Sequence, residues 1–288
     1  MPDATRIPVA RDAELQVLTR ALDSPRSPVL LVHGLASNAR LWDGVAERLA
    51  AAGHPVAAVD QRGHGQSDKP DDGYDFATLT DDLLAVLAAL DWHGDRTPWV
   101  AGQSWGANVV LELAARHPDA TCGIILVDGG TIELSARFAD WPTCEAAMAP
   151  PPLIGTSAAN FERLIRSYHQ DWPESGIAGT LANVETLSDG TIRPWLSRDH
   201  HMTILRRLWE HRPPSRYPAV KVPVLLLPAE DPDNHRWMAG KRDDVARAGA
   251  ALERSVTRWI AGDHDLHAQY PDLVAQLIHD ATGPALFP

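Results

Sequence analysis

The chain has 288 residues, of which 44% are hydrophobic and 22% are charged, and this composition suits one large globular domain or a core with an insertion. Its formal net charge of −12 argues against a nucleic-acid partner, since proteins that bind a phosphate backbone usually carry a basic patch. The two cysteines, Cys122 and Cys144, are too few for a disulfide framework and lack the spacing of metal ligands. We therefore expect both in or near the core.

The amino-terminal stretch MPDATRIPVARDAELQ contains charges and no apolar signal-peptide core. Elsewhere the chain contains no run of about 18 apolar residues, the length that a membrane helix needs. The sequence thus predicts neither secretion nor a membrane span, and a cytoplasmic location is the default expectation.

Short apolar runs, each followed by a turn and a helical pattern, predict a mostly parallel α/β sheet. The segment ELQVLTRAL at 14–22 alternates like an edge strand. The later runs are apolar enough to be buried on both faces. They are PVLLVHG (28–34), HPVAAVDQRG (54–63), PWVAGQS (98–104), CGIILVDGG (122–130), VPVLLLPAE (222–230) and RSVTRWIAG (254–262). Between them lie helical stretches such as TLTDDLLAVLAALDW, in which apolar residues recur three and four positions apart.

Residues 131–220 interrupt this alternation, because they separate two predicted strands by far more than a crossover helix requires. We interpret 1–130 and 221–288 as the α/β core and 131–220 as a helical cap over the sheet end where α/β proteins bind ligands. The aromatic residues of this insertion predict an apolar pocket wall. They are Trp141, Trp172, Trp195 and Trp209.

Ser104 lies in GQSWG, between a predicted strand and a predicted helix, with Gly102 and Gly106 two positions away on either side. The G-x-S-x-G pattern is typical of a nucleophile elbow, a strained turn in which the glycines let strand and helix approach closely. The hydroxyl would stand at the carboxyl edge of the sheet, near the positive end of the following helix. A serine in an ordinary turn is the alternative, and the flanking strand and helix favour the nucleophile.

Over nearly its whole length the sequence resembles the α/β-hydrolase family, and the motifs agree in order. LVHGLASNARLW at 31–42 is similar to the family's HG loop, and DQRGHGQSDKP at 60–70 is similar to its D-x-R-G-x-G-x-S segment. GQSWG follows, and GDHDLHAQYP at 262–271 is similar to the last motif of the family. The resemblance implies an α/β-hydrolase fold: a mostly parallel eight-stranded sheet flanked by helices, with a helical cap inserted after strand 6.

In the last motif of the family a histidine stands seven residues before a proline, which assigns the general base to His264, with His267 as the competitor. A serine hydroxyl is a weak nucleophile at neutral pH unless a base such as imidazole takes its proton during attack. A carboxylate must then fix the tautomer of the imidazole and stabilise its charged form.

The carboxylate is the point at which this sequence departs from the commonest family pattern. Alignment of PVLLLPAEDPDN on the usual GxxD stretch after the seventh strand places Pro232 at the aspartate. Asp128, at the end of the sixth strand, occupies a position that some members use instead, and we favour it. The alternatives are Glu230, Asp231 and Asp233, and Asp128 could also be a turn or helix-capping residue.

The family's oxyanion hole consists of two backbone amides, which the resemblance assigns to Leu35, after HG, and Trp105, after the nucleophile. The implied function is that of a serine hydrolase of class EC 3.1. It would cleave a carboxylic ester, lactone or thioester with a hydrophobic moiety through an acyl-enzyme on Ser104. Haloalkane dehalogenases and epoxide hydrolases of this fold use a carboxylate nucleophile, which position 104 does not offer. A carbon–carbon bond hydrolase or a perhydrolase would use the same triad, and a non-catalytic ligand-binding protein of this fold is an alternative of another class.

The sequence predicts no cofactor and no catalytic metal. The histidine pairs in RDHHM and HDLH join no third ligand at the spacing of a zinc site. We expect His33 and His64 to hold their loops through hydrogen bonds and His117 to end a helix. The expected partner is a small hydrophobic molecule and neither a nucleic acid nor a membrane. The sequence leaves the substrate-binding residues and the oligomeric state open.

Overall fold

The computed structural model describes residues 2–231, 235–283 and 286–287. The strands in these residues are β1 (Asp3–Val9), β2 (Ala13–Arg20), β3 (Val29–Val32), β4 (Val56–Val59), β5 (Trp99–Gln103), β6 (Gly123–Val127), β7 (Val184–Thr186), β8 (Ile192–Pro194), β9 (Val224–Leu227), β10 (Ala229–Glu230), β11 (Ser255–Thr257) and β12 (Ile260–Ala261). The helices are α1 (Asp43–Ala51), α2 (Phe76–Ala89), α3 (Trp105–Arg116), α4 (Leu134–Arg137), α5 (Trp141–Met148), α6 (Ala158–Tyr168), α7 (Glu174–Leu181), α8 (Arg198–Glu210), α9 (His235–Ala251), α10 (Leu266–Gln269) and α11 (Pro271–Thr282).

Within the described ranges, one eight-stranded sheet in the order β1-β2-β4-β3-β5-β6-β9-β11 organises the fold. β2 pairs antiparallel with β1 and β4, and the other neighbours in this sheet are parallel. The predicted mostly parallel sheet with eight strands is therefore confirmed. The expectation of an edge strand at 14–22 is wrong, because β1 covers the outer side of β2. β1 itself was not predicted, because its exposed, charged residues hide the alternation that marks a half-buried strand.

The central strands are buried on both faces, as their apolar runs predict. In β3, Leu30 and Val32 belong to a core that also contains residues of α2, α3 and α9. Val29 and Leu31 point to the opposite core, which contains residues of α1 and α11. This alternation explains why the strands show no polar face, since helices cover the parallel part of the sheet on both sides.

The segment 131–220 contains α4 to α8 and the antiparallel pair β7–β8, and it connects two neighbouring strands of the sheet, β6 and β9. Its assignment as a separate cap stays a prediction. Cys144, in α5, is buried as expected, whereas Cys122, directly before β6, is exposed and thus differs from the expectation. No helix in the described part of the chain has the length and apolar character to cross a bilayer.

Candidate active site

Ser104 occupies a sharp turn between β5 and α3. Its backbone has φ 52° and ψ −122°, a strained conformation that L-residues rarely adopt. A Cβ at Gly102 would lie 2.4 Å from the carbonyl oxygen of Gly106, and a Cβ at Gly106 would lie 2.3 Å from that of His33. These two positions therefore require glycine for close packing, and the turn has the geometry of a nucleophile elbow.

Asp128 follows β6, the strand beside β5, and its side chain is directed to the last motif. Its Oδ2 lies 2.6 Å from Nδ1 of His264, and its Oδ1 accepts a hydrogen bond of 2.8 Å from the amide of Ala229. Gly129 makes this approach possible, because a Cβ there would lie 2.2 Å from the carbonyl oxygen of Ser104. Asp128 is only 8% exposed, so its carboxylate acts on the imidazole with little competition from water.

The alternative acids differ in their surroundings. Glu230 is in β10 and forms a 2.6 Å ion pair with Arg242. Asp231 lines the cavity described below. Pro232 and Asp233 lie outside the described residues. The carboxylate that the structure places on Nδ1 of His264 is that of Asp128.

Lys241, on α9, is a charged residue of this site that the sequence analysis missed. It is 5% exposed, its Nζ lies 2.5 Å from Oδ1 of Asp128, and it donates a 2.6 Å hydrogen bond to the carbonyl of Ala229. Burial raises the pKa of Asp128, but the hydrogen bonds and charges of His264 and Lys241 outweigh it and hold that pKa below its ordinary value. In the sequence, a lysine within KRDDVARAGA resembles the exposed lysines of any amphipathic helix.

His264 has one ring nitrogen on Asp128 and a side chain that is 56% exposed towards the cavity. Desolvation lowers the pKa of His264, yet the hydrogen bond and charge of Asp128 more than offset this and raise the pKa above the usual 6.5. Because Nδ1 donates a hydrogen bond to the carboxylate, the other nitrogen, Nε2, has a free lone pair that can accept a proton. Between the described side chains of Ser104 and His264 there is no hydrogen bond, and such contacts often tighten only when substrate binds.

His267 has a different environment from His264. Its ring is buried and lies 4.2 Å from the ring of Trp42, centroid to centroid. Neither ring nitrogen has a hydrogen-bond partner among the described residues, and burial lowers the pKa of His267 to about 3. The ring is therefore neutral and serves as packing.

A cavity of about 570 Å³ opens beside these groups and is lined by Ser104, Trp105, Asp128, Lys241 and His264, among others. Its volume is typical of a small-molecule site. The apolar part of the lining includes Ile132, Leu134, Met148, Leu208, Trp237 and Met238.

The prediction that the insertion's tryptophans wall the pocket is wrong, since none of the four belongs to the lining. Trp172 packs in a separate apolar cluster, and Trp195 lies under the Lys69 ammonium. Trp141 and Trp209 meet edge to face, 6.1 Å apart. Trp141 and Trp209 thus pack within the insertion, whereas Trp172 and Trp195 contact residues outside it, and composition does not distinguish either use from a pocket wall.

The loop that carries Leu35 is held by histidines, as expected. Nε2 of His33 accepts a 3.0 Å hydrogen bond from the amide of Gln61, and Nε2 of His64 accepts one of 3.2 Å from the amide of Ala36. His117 follows the last residue of α3, also as expected. No cluster of three metal-ligating side chains occurs in the part of the chain that the structure describes.

The two amides assigned to the oxyanion hole follow two neighbouring strands of the sheet, β3 and β5. Trp105 is the first residue of α3, where an amide has no intrahelical acceptor, and Leu35 lies in the turn after His33 and Gly34. Among the described residues neither amide has an acceptor. Trp105 lines the cavity, while Leu35 is half-buried against the core and is not part of the lining.

Comparison with known proteins supports the same fold. A family model described as the alpha/beta hydrolase fold matches residues 27–172. The chain belongs to the α/β-hydrolase fold family. Epoxide hydrolase B of Mycobacterium tuberculosis is 32% identical over 128 residues, which cover 43% of this chain and 35% of that protein. Lipase LipV of the same species is 30% identical over 135 residues, which cover 47% and 49%.

Among solved structures, that of E-2-(acetamidomethylene)succinate hydrolase matches this chain with a TM-score of 0.76 at 23% sequence identity. The match covers 97% of this chain and 98% of the hydrolase chain. This likeness concerns the fold. The chain spans less than half the length of the curated relatives named above.

Proposed function

We propose that this α/β-hydrolase-fold protein is a serine hydrolase that cleaves a carboxylic ester, lactone or thioester with a hydrophobic moiety. The observation that carries the proposal is the convergence of a strained Ser104 turn and the Asp128–His264 hydrogen bond on one cavity. A nucleophile, its base and the carboxylate that orients the base are the groups that acyl transfer through serine requires.

In the proposed reaction, Oγ of Ser104 attacks the carbonyl carbon of the substrate while Nε2 of His264 accepts the hydroxyl proton. The amides of Leu35 and Trp105 donate hydrogen bonds to the oxyanion, and each such donor is typically worth about 10²- to 10³-fold in rate. The tetrahedral intermediate then expels the alcohol or thiol, which takes the proton from His264. A water molecule, activated by the same histidine, releases the acid and restores the serine.

The cavity lining supports a hydrophobic acyl or leaving group. Ile132, Leu134, Met148 and Leu208 all come from residues 131–220, and they form much of the apolar lining. We therefore propose that this segment acts as the cap and selects the substrate. The names of the matched relatives include an epoxide hydrolase and a lipase, and a serine at position 104 fits the second kind of chemistry.

Labelling with a fluorophosphonate probe tests the proposal. We expect intact-mass measurement to find one stoichiometric adduct on the wild-type protein and none on Ser104→Ala. Ser135→Ala is the matched control, because this hydroxyl is hydrogen-bonded to Glu133, and it should retain the label. Absence of an adduct on wild-type protein that is folded by circular dichroism would refute a working nucleophile and support a non-catalytic ligand-binding protein.

A further inference from the structure

Asn108 is a buried polar residue of the cavity that the proposed reaction does not use. It lies on α3, four residues after Ser104, and therefore on the same helix face about 6 Å further along the axis. The residue is 4% exposed and lines the cavity, and its Oδ1 accepts a 3.3 Å hydrogen bond from the amide of Gly130.

A chain of buried side chains continues from Asn108 away from the cavity. Its Nδ2 lies 2.9 Å from Nδ1 of His211, and Nε2 of His211 lies 2.9 Å from Oε1 of Glu112. Glu112 is 1% exposed and also forms ion pairs with Arg116 and Arg216. Burial raises the pKa of Glu112, but the contacts with His211 and the arginines lower it to about 2, so the carboxylate is ionised.

The contact with Gly130 determines which way the Asn108 amide faces. The backbone amide of Gly130 is a donor, so it faces Oδ1 of Asn108 and leaves Nδ2 on Nδ1 of His211. Nδ2 is also a donor, so Nδ1 of His211 accepts, and Nε2 of His211 donates to the Glu112 carboxylate, which only accepts. The reversed amide would place donor against donor at Gly130 and acceptor against acceptor at His211.

One N–H of Asn108 is left over in this orientation. Nδ2 carries two hydrogens and donates to one acceptor, His211, among the described residues. A buried donor without a partner is unfavourable, and a ligand oxygen in the cavity would satisfy it. The apolar side chains of Ile132 and Leu208, which share this cavity, cannot do so.

We propose that Asn108 is a specificity-determining residue that donates a hydrogen bond to a second carbonyl oxygen of the substrate, about 5 to 6 Å from the carbonyl that Ser104 attacks. His211 and Glu112 are positioning residues that hold the amide in this orientation. The inference rests on the proposed function, and it narrows the substrate class to oxo- or amido-acyl compounds. A site that is built to hydrogen-bond a substrate group discriminates strongly against the analogue that lacks it.

Binding to the Ser104→Ala variant tests this without turnover. The probes are ethyl 5-oxohexanoate and ethyl 5-methylhex-5-enoate, in which a methylene group replaces the second carbonyl oxygen. Fluorescence of Trp105 and Trp237, which both line the cavity, reports the dissociation constants. We expect the preference for the oxo ester to fall about threefold to tenfold when Asn108→Leu, which has a similar shape and no donor, is added.

His211→Phe, added to the same background, keeps Asn108 but removes one of the two contacts that hold its amide, and the preference should fall again. His54→Phe is the matched control, because this buried histidine bonds to Ser27 and His279 away from the cavity. A preference that stays within twofold in Asn108→Leu overturns the proposal. A preference that falls in Asn108→Leu but not in His211→Phe overturns the positioning role of His211. Because these measurements need no nucleophile, failure of fluorophosphonate labelling would count against the hydrolase alone.

Discussion

Asp128→Asn should abolish most of the activity while it leaves the shape of the site intact. Oδ1 of Asp128 faces two donors, the amide of Ala229 and the ammonium of Lys241, whereas Oδ2 faces Nδ1 of His264. The oxygen of an asparagine must therefore face the two donors, and its NH₂ group must face His264. The imidazole then has to accept at Nδ1 and carry its proton on Nε2, which is the wrong tautomer for a base.

In triads of known function this change lowers kcat about 10⁴-fold, which corresponds to about 5 kcal/mol of transition-state stabilisation. We expect a loss of that order in kcat/KM on p-nitrophenyl butyrate. Stability has to be measured in parallel, since removal of one partner of a buried ion pair costs up to about 3–5 kcal/mol. The asparagine oxygen still accepts from Lys241, so the cost here should be smaller.

Glu230→Gln is the matched control, because Glu230 was an alternative acid and pairs with Arg242 at the surface. Its kcat/KM should stay within twofold of wild type. A loss of less than tenfold in folded Asp128→Asn would refute the role of Asp128. A large loss of kcat/KM in Glu230→Gln would instead assign the role of the triad carboxylate to Glu230, at the end of β10.

Two further substitutions test charge and burial around the site. Lys241→Met removes a positive charge that lowers the pKa of His264, so the acidic limb of the kcat/KM profile should move to higher pH; an unchanged or lower midpoint would contradict this. His267→Phe should retain activity, in contrast to His264→Ala, because its neutral ring only packs on Trp42. The pKa of His267 is about 3 in the folded protein, whereas the ordinary value of 6.5 applies to the unfolded chain. Between these two pH values the unfolded state binds more protons, so the free energy of unfolding rises with pH. Urea unfolding at several pH values should show that His267→Phe removes this rise, and an unchanged slope would place the titration elsewhere.

The local requirements of the Ser104 turn could be predicted from the sequence because they are steric and involve neighbours in the chain. A strand and the following helix can approach this closely only if glycine stands at both contact positions, and GQSWG has Gly102 and Gly106 there. The apolar runs likewise predicted the parallel strands, since helices on both faces of a sheet leave no polar side. Composition could not show where the insertion's tryptophans would pack, because packing against other side chains and lining of a pocket favour the same residue type.

The sequence by itself determined the fold, the order of its motifs and the position of the strained serine, because each depends on short-range periodicity and sterics. Tertiary structure decided which carboxylate meets His264, since Asp128 lies 136 positions away along the chain and reaches it only through the order of the strands. The same holds for Lys241 beside that carboxylate and for the link from Asn108 to His211, which joins α3 to the end of the insertion. Such contacts between distant segments depend on how elements pack in three dimensions, and the pattern of neighbouring residues in the sequence does not predict them.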